Sequence, residues 1–235
     1  WINTSSDKFF ITYFFGVGAS GLYTVAYKIP SLLTTVTQIV LNAWQISAVE
    51  GFGTEKARRF FTKIYNYYFT LTLSLVAIIV ALTKIISRIL FQNEFYDAWV
   101  FVPLLMAAYF FHDLSSFVAT IYTTAKNTKM LSYTTIIGAA INVILNFFLI
   151  PQWGALGAVI TTLISYFVVW FIRLIHSRKI MKLDYNYWYD SVSMILLAGE
   201  ISVFYFFQEN AFPISVAIAT LLILLRIKTI IQIVK

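Results

Sequence analysis

An all-α fold, a polytopic bundle of transmembrane helices, is what this sequence predicts, and three observations predict it. Of its 235 residues 60% are hydrophobic and only 11% are charged, whereas soluble domains carry about 25% charged residues; the mean hydropathy is +0.80. Two long stretches, Ile64 to Thr83 and Met130 to Ile172, carry no charge at all, and their lengths fit one and two bilayer crossings at ~20 residues each. A third stretch, Gly16 to Glu50, is apolar overall but strings Thr24, Lys28, Ser31, Thr35, Gln38, Asn42 and Gln45 at alternating steps of four and three. On a helix that spacing holds them in one narrow arc. The arc runs roughly 30 Å at 1.5 Å per residue, about one hydrocarbon thickness. A polar stripe cannot face acyl chains, where each unpaired polar group costs free energy. It is therefore read as the wall of a wet cavity, with Lys28 as its single charge.

The same composition excludes other classes. The net charge of +7 is spread between apolar spans rather than gathered on one face, so it is no nucleic-acid footprint. Cysteine is absent, which rules out disulfide and thiol chemistry. The six Trp, 15 Tyr and 22 Phe suit interfacial belts and lipid-facing surface.

In chain order, residues 1–15 read as a partial helix, too short to cross a bilayer and without the pattern of a signal peptide. The chain is accordingly expected to be the C-terminal part of a longer protein. Asp7 and Lys8 lie inside this helix, and charges in a span are functional candidates. Gly16 to Gly21, GVGASG, matches a dinucleotide fingerprint by letter but lacks the βαβ context and the following acid; it reads as a glycine-rich turn. Helices are expected over about 22–48, 64–83, 98–125, 130–150, 154–175, 190–207 and 213–233. Between them lie a charged loop at EGFGTEKARRFFTK, an amphipathic loop from Lys84 to Asp97, a basic loop from Lys126 to Lys129, a tight turn at Pro151 to Gly154, a basic loop from Arg173 to Lys182 and a turn from Gln208 to Pro213. Alternate loops differ sharply in charge. One set holds Lys56, Arg58, Arg59, Lys63, Lys126, Lys129, Arg173, Arg178, Lys179 and Lys182, together with the tail residues Arg226, Lys228 and Lys235; the other holds Lys84 and Arg88. The basic set, and with it the C-terminus, is expected to be cytoplasmic. GASG at Gly18 and GALG at Gly154 form a weak internal echo, each opening an inward-running helix.

Candidate chemistry is sparse. His112 and Asp113 share a span with Tyr109, Ser116, Thr120 and Thr123, a second polar stripe that fits a proton or cation relay, a contact to a polar substrate, or an interhelical hydrogen-bond network. Asn142 and Asn146, one turn apart, are expected to bond across helices or to a neighbouring backbone. Glu200 is a lone acid at mid-span, either a coupling group or a protonated bystander. With two His, no metal cluster is expected, and HDLSS cannot form a triad because consecutive helical positions diverge. No cofactor, metal or nucleic acid is implied, and no enzyme.

SSDKFFI, GLYTVAYKIPSLL, AWQISAVE and NFFLIPQWGALGAVITTLIS resemble the oligosaccharide flippases of bacterial O-antigen and other polysaccharide biosynthesis, within the multidrug/oligosaccharidyl-lipid/polysaccharide exporter superfamily. The resemblance spans nearly the whole chain. It implies one lobe, with two extra C-terminal helices, of a two-lobe transporter whose N-terminal lobe lies upstream. It places Asp7, Lys8 and Lys28 toward a central cavity and implies a lipid-linked oligosaccharide on undecaprenyl diphosphate as cargo. The chain would then sit as a multi-pass protein in the bacterial inner membrane, with membrane lipid around it and H+ or Na+ as the coupling ion. Two other readings stay open: a cation-coupled multidrug exporter of the same superfamily, and a membrane glycosyltransferase or polymerase.

Overall fold

The computed structural model describes residues 2–48, 52–91, 93–207 and 211–234, and among these every regular element is helical. In chain order they are α1 (Ile2–Ala26), α2 (Lys28–Ala48), α3 (Glu55–Ala81), α4 (Thr83–Leu90), a 3₁₀ segment (Asn93–Phe101), α5 (Val102–Thr124), α6 (Thr128–Ser177), α7 (Tyr187–Phe206), α8 (Ala211–Leu225) and α9 (Ile227–Val234). Five helical stretches are long and apolar enough to cross a membrane. Phenylalanines and isoleucines such as Phe9, Ile136, Phe147, Phe171 and Ile195 stand exposed along the bundle, as a lipid-facing surface requires.

Two of these elements are hairpins, each turning on one glycine. Gly16 (φ 83, ψ 176) interrupts α1 and Gly154 (φ 59, ψ −142) interrupts α6, conformations that a side chain essentially forbids. In α1, Asp7 hydrogen-bonds Tyr23, 16 residues on, which a straight helix would hold about 24 Å apart. In α6, Gly138 lies against Val169, Asn146 against Thr161 and Gly157 against Leu149, so its halves run antiparallel. The two tips meet, with Phe15 beside Gly154, and the hairpins pack along each other. Both α6 halves also pack against α5, α2 lies on α5 and α3, and α7 with α8 closes the far side against α3.

The expected segments survive with corrected edges. The first turn is Gly16 alone; GASG is already helical, because only Gly16 departs from helical backbone. The helix expected over 22–48 is divided near Tyr27, three residues before Pro30, whose missing N–H and bulky ring break the ladder there; bonds from Tyr27 N to Tyr23 O and from Ser31 N to Tyr27 O carry the chain across. The segment from Lys84 to Asp97 is not a loop but α4 and the 3₁₀ segment. Thr54 caps α3 by accepting from Ala57 N–H, so that helix starts nine residues before Ile64. At 27 residues it spans about 40 Å, and its charged first turns project past a ~30 Å hydrocarbon layer. The last span is interrupted at Arg226.

Candidate functional site

Asp7 sits at the centre of the packed hairpins and is 0% exposed. Its Oδ2 accepts from Tyr23 OH at 2.5 Å and Thr162 Oγ1 at 2.7 Å; its Oδ1 accepts from Asn146 Nδ2 at 2.6 Å and Asn142 Nδ2 at 3.1 Å. Ser6 donates to Asn142 Oδ1 at 2.7 Å, and Thr161 donates to Asn146 Oδ1. The sequence builds this locally. Asn142 and Asn146 are one turn apart on the first half of α6, Thr161 and Thr162 face them from the second half, and the Gly16 turn returns Tyr23 to Asp7. A buried carboxylate costs several kcal/mol unless its oxygens are satisfied. Here the satisfaction comes from hydroxyls and amides, and among the described residues no cation bridges Asp7. Asp7 therefore does not line an open cavity as expected; it is enclosed. Of the two partnerships expected for Asn142 and Asn146, across helices or to a neighbouring backbone, the bonds to Asp7 are of the first kind.

From Asp7 an aromatic chain leads to a second acid. Tyr23 OH bonds Tyr27 OH at 3.3 Å, the Tyr27 ring packs edge-on to Tyr109 at 5.6 Å, and Tyr109 meets both Tyr166 and His112. His112 Nδ1 lies 3.0 Å from Asp113 Oδ1. Asp113, 1% exposed, takes Thr37 Oγ1 at 2.7 Å from α2. The second stripe thus takes part in an interhelical hydrogen-bond network, with Asp113 joining α5 to α2. Ser116, Thr120 and Thr123 spend their hydroxyl protons on backbone carbonyls of α5. Glu200 is fully buried, with Oε1 accepting from Ser215 at 3.0 Å, remote from this network.

The stripe on α2 faces outward. Lys28, Ser31, Thr35, Gln38 and Asn42 are exposed, while Ile29, Leu33, Thr37 and Leu41 are buried against α3 and α5. Thr24 lies before the break, on the second half of α1, and Lys8 is half-buried on its first half. The side chain of Gln45 lies outside the described residues. Thr24, Ser31 and Thr35 donate to carbonyls one turn back, which turns oxygen lone pairs outward, and Gln38 bonds Asn42 at 3.2 Å. Beside the stripe Leu32, Val36 and Ile39 are exposed too, so the open face of α2 is polar on one edge and apolar on the other.

Sequence reasoning missed Arg173. It was counted with a basic loop, yet it lies on the second half of α6, buried, donating to Thr134 and Thr135 on the first half and to Ser115 on α5. A signal existed: Arg173 continues the buried face of Thr162, Ser165 and Val169 at steps of three and four.

Fold and site together define a helical membrane protein with a polar interior. No family model matches the chain, and no solved structure matches it. It is similar to the uncharacterized membrane protein MJ1068 of Methanocaldococcus jannaschii, at 25% identity over 141 residues, 60% of this chain and 27% of that protein's length.

Proposed function

We propose that this chain is one lobe of a flippase that carries an oligosaccharide linked to undecaprenyl diphosphate, an O-antigen or capsule repeat unit, from the inner to the outer leaflet of the bacterial inner membrane. The observation that carries the reading is the open face of α2. Lys28, Ser31, Thr35, Gln38 and Asn42 are exposed on an otherwise apolar helix, and in a bilayer such a face needs water, cargo or a second lobe against it. The apolar edge at Leu32, Val36 and Ile39 suits a helix standing at the border between a wet cavity and lipid. Sugar hydroxyls find partners in the outward lone pairs and amides, and Lys28 supplies a positive charge for a diphosphate. Rocking of this lobe against an upstream one would expose the face alternately to each side. Asp7 is the coupling site in this reading. It is a buried acid held by neutral donors, so exchange of its tyrosine, threonine and asparagine contacts for H+ or Na+ changes the packing of the two hairpins. The multidrug exporter is less well supported, because the exposed stripe carries a lysine and no acid, while Asp7 and Asp113 are enclosed.

The test compares Lys28→Ala and Asp7→Asn with wild type in cells whose surface polysaccharide depends on the full protein. At equal expression, both variants should lower surface polysaccharide about tenfold or more, the worth of one charge-assisted contact. Only Asp7→Asn should remove the dependence of flipping on the ion gradient in vesicles. Wild-type levels in both would refute the proposal.

A further inference from the structure

Two arginines are buried in the described bundle, and they are treated differently. Arg226 is 3% exposed, pairs with Asp190 at 2.6 Å and lies over the rings of Tyr189 and Phe69. Arg173 is 8% exposed, and all its partners are neutral. Nε donates to Thr134 Oγ1 at 2.9 Å; Nη1 donates to Ser115 Oγ at 2.9 Å and to its carbonyl at 3.4 Å; Nη2 donates to Thr135 Oγ1 at 2.9 Å and to the Leu131 carbonyl at 3.5 Å. Among the described residues no carboxylate bridges it. Burying a cation without an anion is costly even when each N–H finds an oxygen, and two of these five contacts are long enough to exchange.

The guanidinium borders a cleft of about 510 Å³ between the start of α1, α5 and both halves of α6. That is the size of a small-molecule site, far more than a monatomic anion needs. The lining has two characters. Polar groups of Arg173, Ser115, Ser116, Thr135, Asn3, His112 and Tyr166 share it with the small or apolar Gly138, Ala139 and Val169. The 3.0 Å contact of His112 Nδ1 with Asp113 Oδ1 holds its ring in that lining. Gly138 is required by closeness rather than by turning, since a Cβ there would fall 2.4 Å from the Val169 side chain.

We propose that this cleft is an anion subsite that receives a phosphate or diphosphate group, with Arg173 as its missing counter-charge. The planar fork presents paired donors to tetrahedral oxygens, and Thr135 and the two long carbonyl contacts are what an incoming oxygen displaces. The inference deepens the flippase reading and rests on it for the lipid source of the phosphate; the buried, unpaired cation beside an open cleft stands without it.

Isothermal titration of the full chain in nanodiscs, with inorganic diphosphate and with farnesyl diphosphate, tests it. At least one probe should bind wild type. Arg173→Gln should weaken that binding roughly tenfold or more, the loss of a charge-assisted pair, while Arg173→Lys retains part of it. Because Arg173 also ties α5 to α6, a second variant, Ala139→Phe, fills the cleft without touching the guanidinium contacts and should abolish binding in a folded protein. Binding of inorganic diphosphate alone identifies a solute anion, and binding of the prenyl probe alone a lipid-borne one; either supports the subsite. Failure of both probes on wild type, or unchanged affinity in Arg173→Gln or in Ala139→Phe, overturns it. Normal probe binding with no flipping in vesicles by the full two-lobe protein would instead refute the flippase reading.

Discussion

The α1–α6 pair of hairpins and the α7–α8 pair solve the same problem, a charge inside an apolar bundle, in opposite ways. In α7–α8, Asp190 and Arg226 neutralise each other at 2.6 Å, with Ser193 and two aromatic rings around them. In the hairpins, Asp7 and Arg173 are buried apart, each solvated by hydroxyls, amides and carbonyls. A paired charge has no use for a mobile ion; a charge held by neutral dipoles can exchange those dipoles for one. The first arrangement is a fixed brace. The second is the kind of interior that a transport cycle can change.

The largest expected effect breaks the brace. Asp190→Ala or Arg226→Ala leaves one buried charge without its partner, which typically costs about 3–5 kcal/mol, read as a large drop in melting temperature in detergent. Replacing both together by Leu and Met should recover most of that loss, because a well-packed apolar pair substitutes for a buried ion pair with little penalty. A double variant as unstable as either single one would mean the two charges act separately, and the contrast with the hairpins would fail.

The next effect tests the hairpins. A Cβ on Gly157 would fall 2.4 Å from the Leu149 carbonyl oxygen, so the halves of α6 touch backbone to backbone there. Small residues permit that approach between membrane helices. Gly157→Ala should push the halves apart at a cost of about 1–3 kcal/mol. The same shift moves Thr161 and Thr162 away from Asn146 and Asp7, so the ion dependence we propose for Asp7 should weaken along with stability. Lost stability with unchanged ion dependence would separate packing from the polar network.

Much of this architecture was legible along the chain. Uncharged runs bounded by basic loops gave most of the segments, the PQWG stretch gave the α6 hairpin although Pro151, Gln152 and Trp153 stay helical and only Gly154 turns, and the four-and-three spacing placed the polar edge of α2. The turn expected over Gly16 to Gly21 shrinks to Gly16, because glycines read as breakers in sequence while only Gly16 there departs from helical backbone. The Asp7 site was only half legible. Its acid and its asparagines were singled out separately, but they are 135 and 139 residues apart, and no local period links them. Arg173 was hidden for a different reason. Near the end of a helix that leads into Arg178 and Lys179, hydropathy cannot tell a cation that reaches water from one folded back onto Thr134.

The smallest effect moves the same chemistry to the surface. Glu55 opens the projecting turns of α3 and accepts from Arg58 at 2.7 Å and from Arg59 at 3.0 Å. First the Arg58 hydrogen bonds and then those of Arg59 hold its carboxyl down to about 2, from an ordinary 4.5. A lowered acid stabilises the fold above its unfolded value and loses that contribution as pH falls toward the folded one. Any Glu55 contribution is therefore complete at neutral pH and fades between about 4.5 and about 2. Glu55 is exposed, and water and salt screen such a pair. Glu55→Gln should leave the neutral-pH melting temperature nearly unchanged, and in moderate salt its acid limb should overlay that of wild type. A marked neutral-pH loss in Glu55→Gln would mean that a solvated Arg–carboxylate cluster braces this protein as the buried Asp190–Arg226 pair does, and that burial is not what sets the two apart.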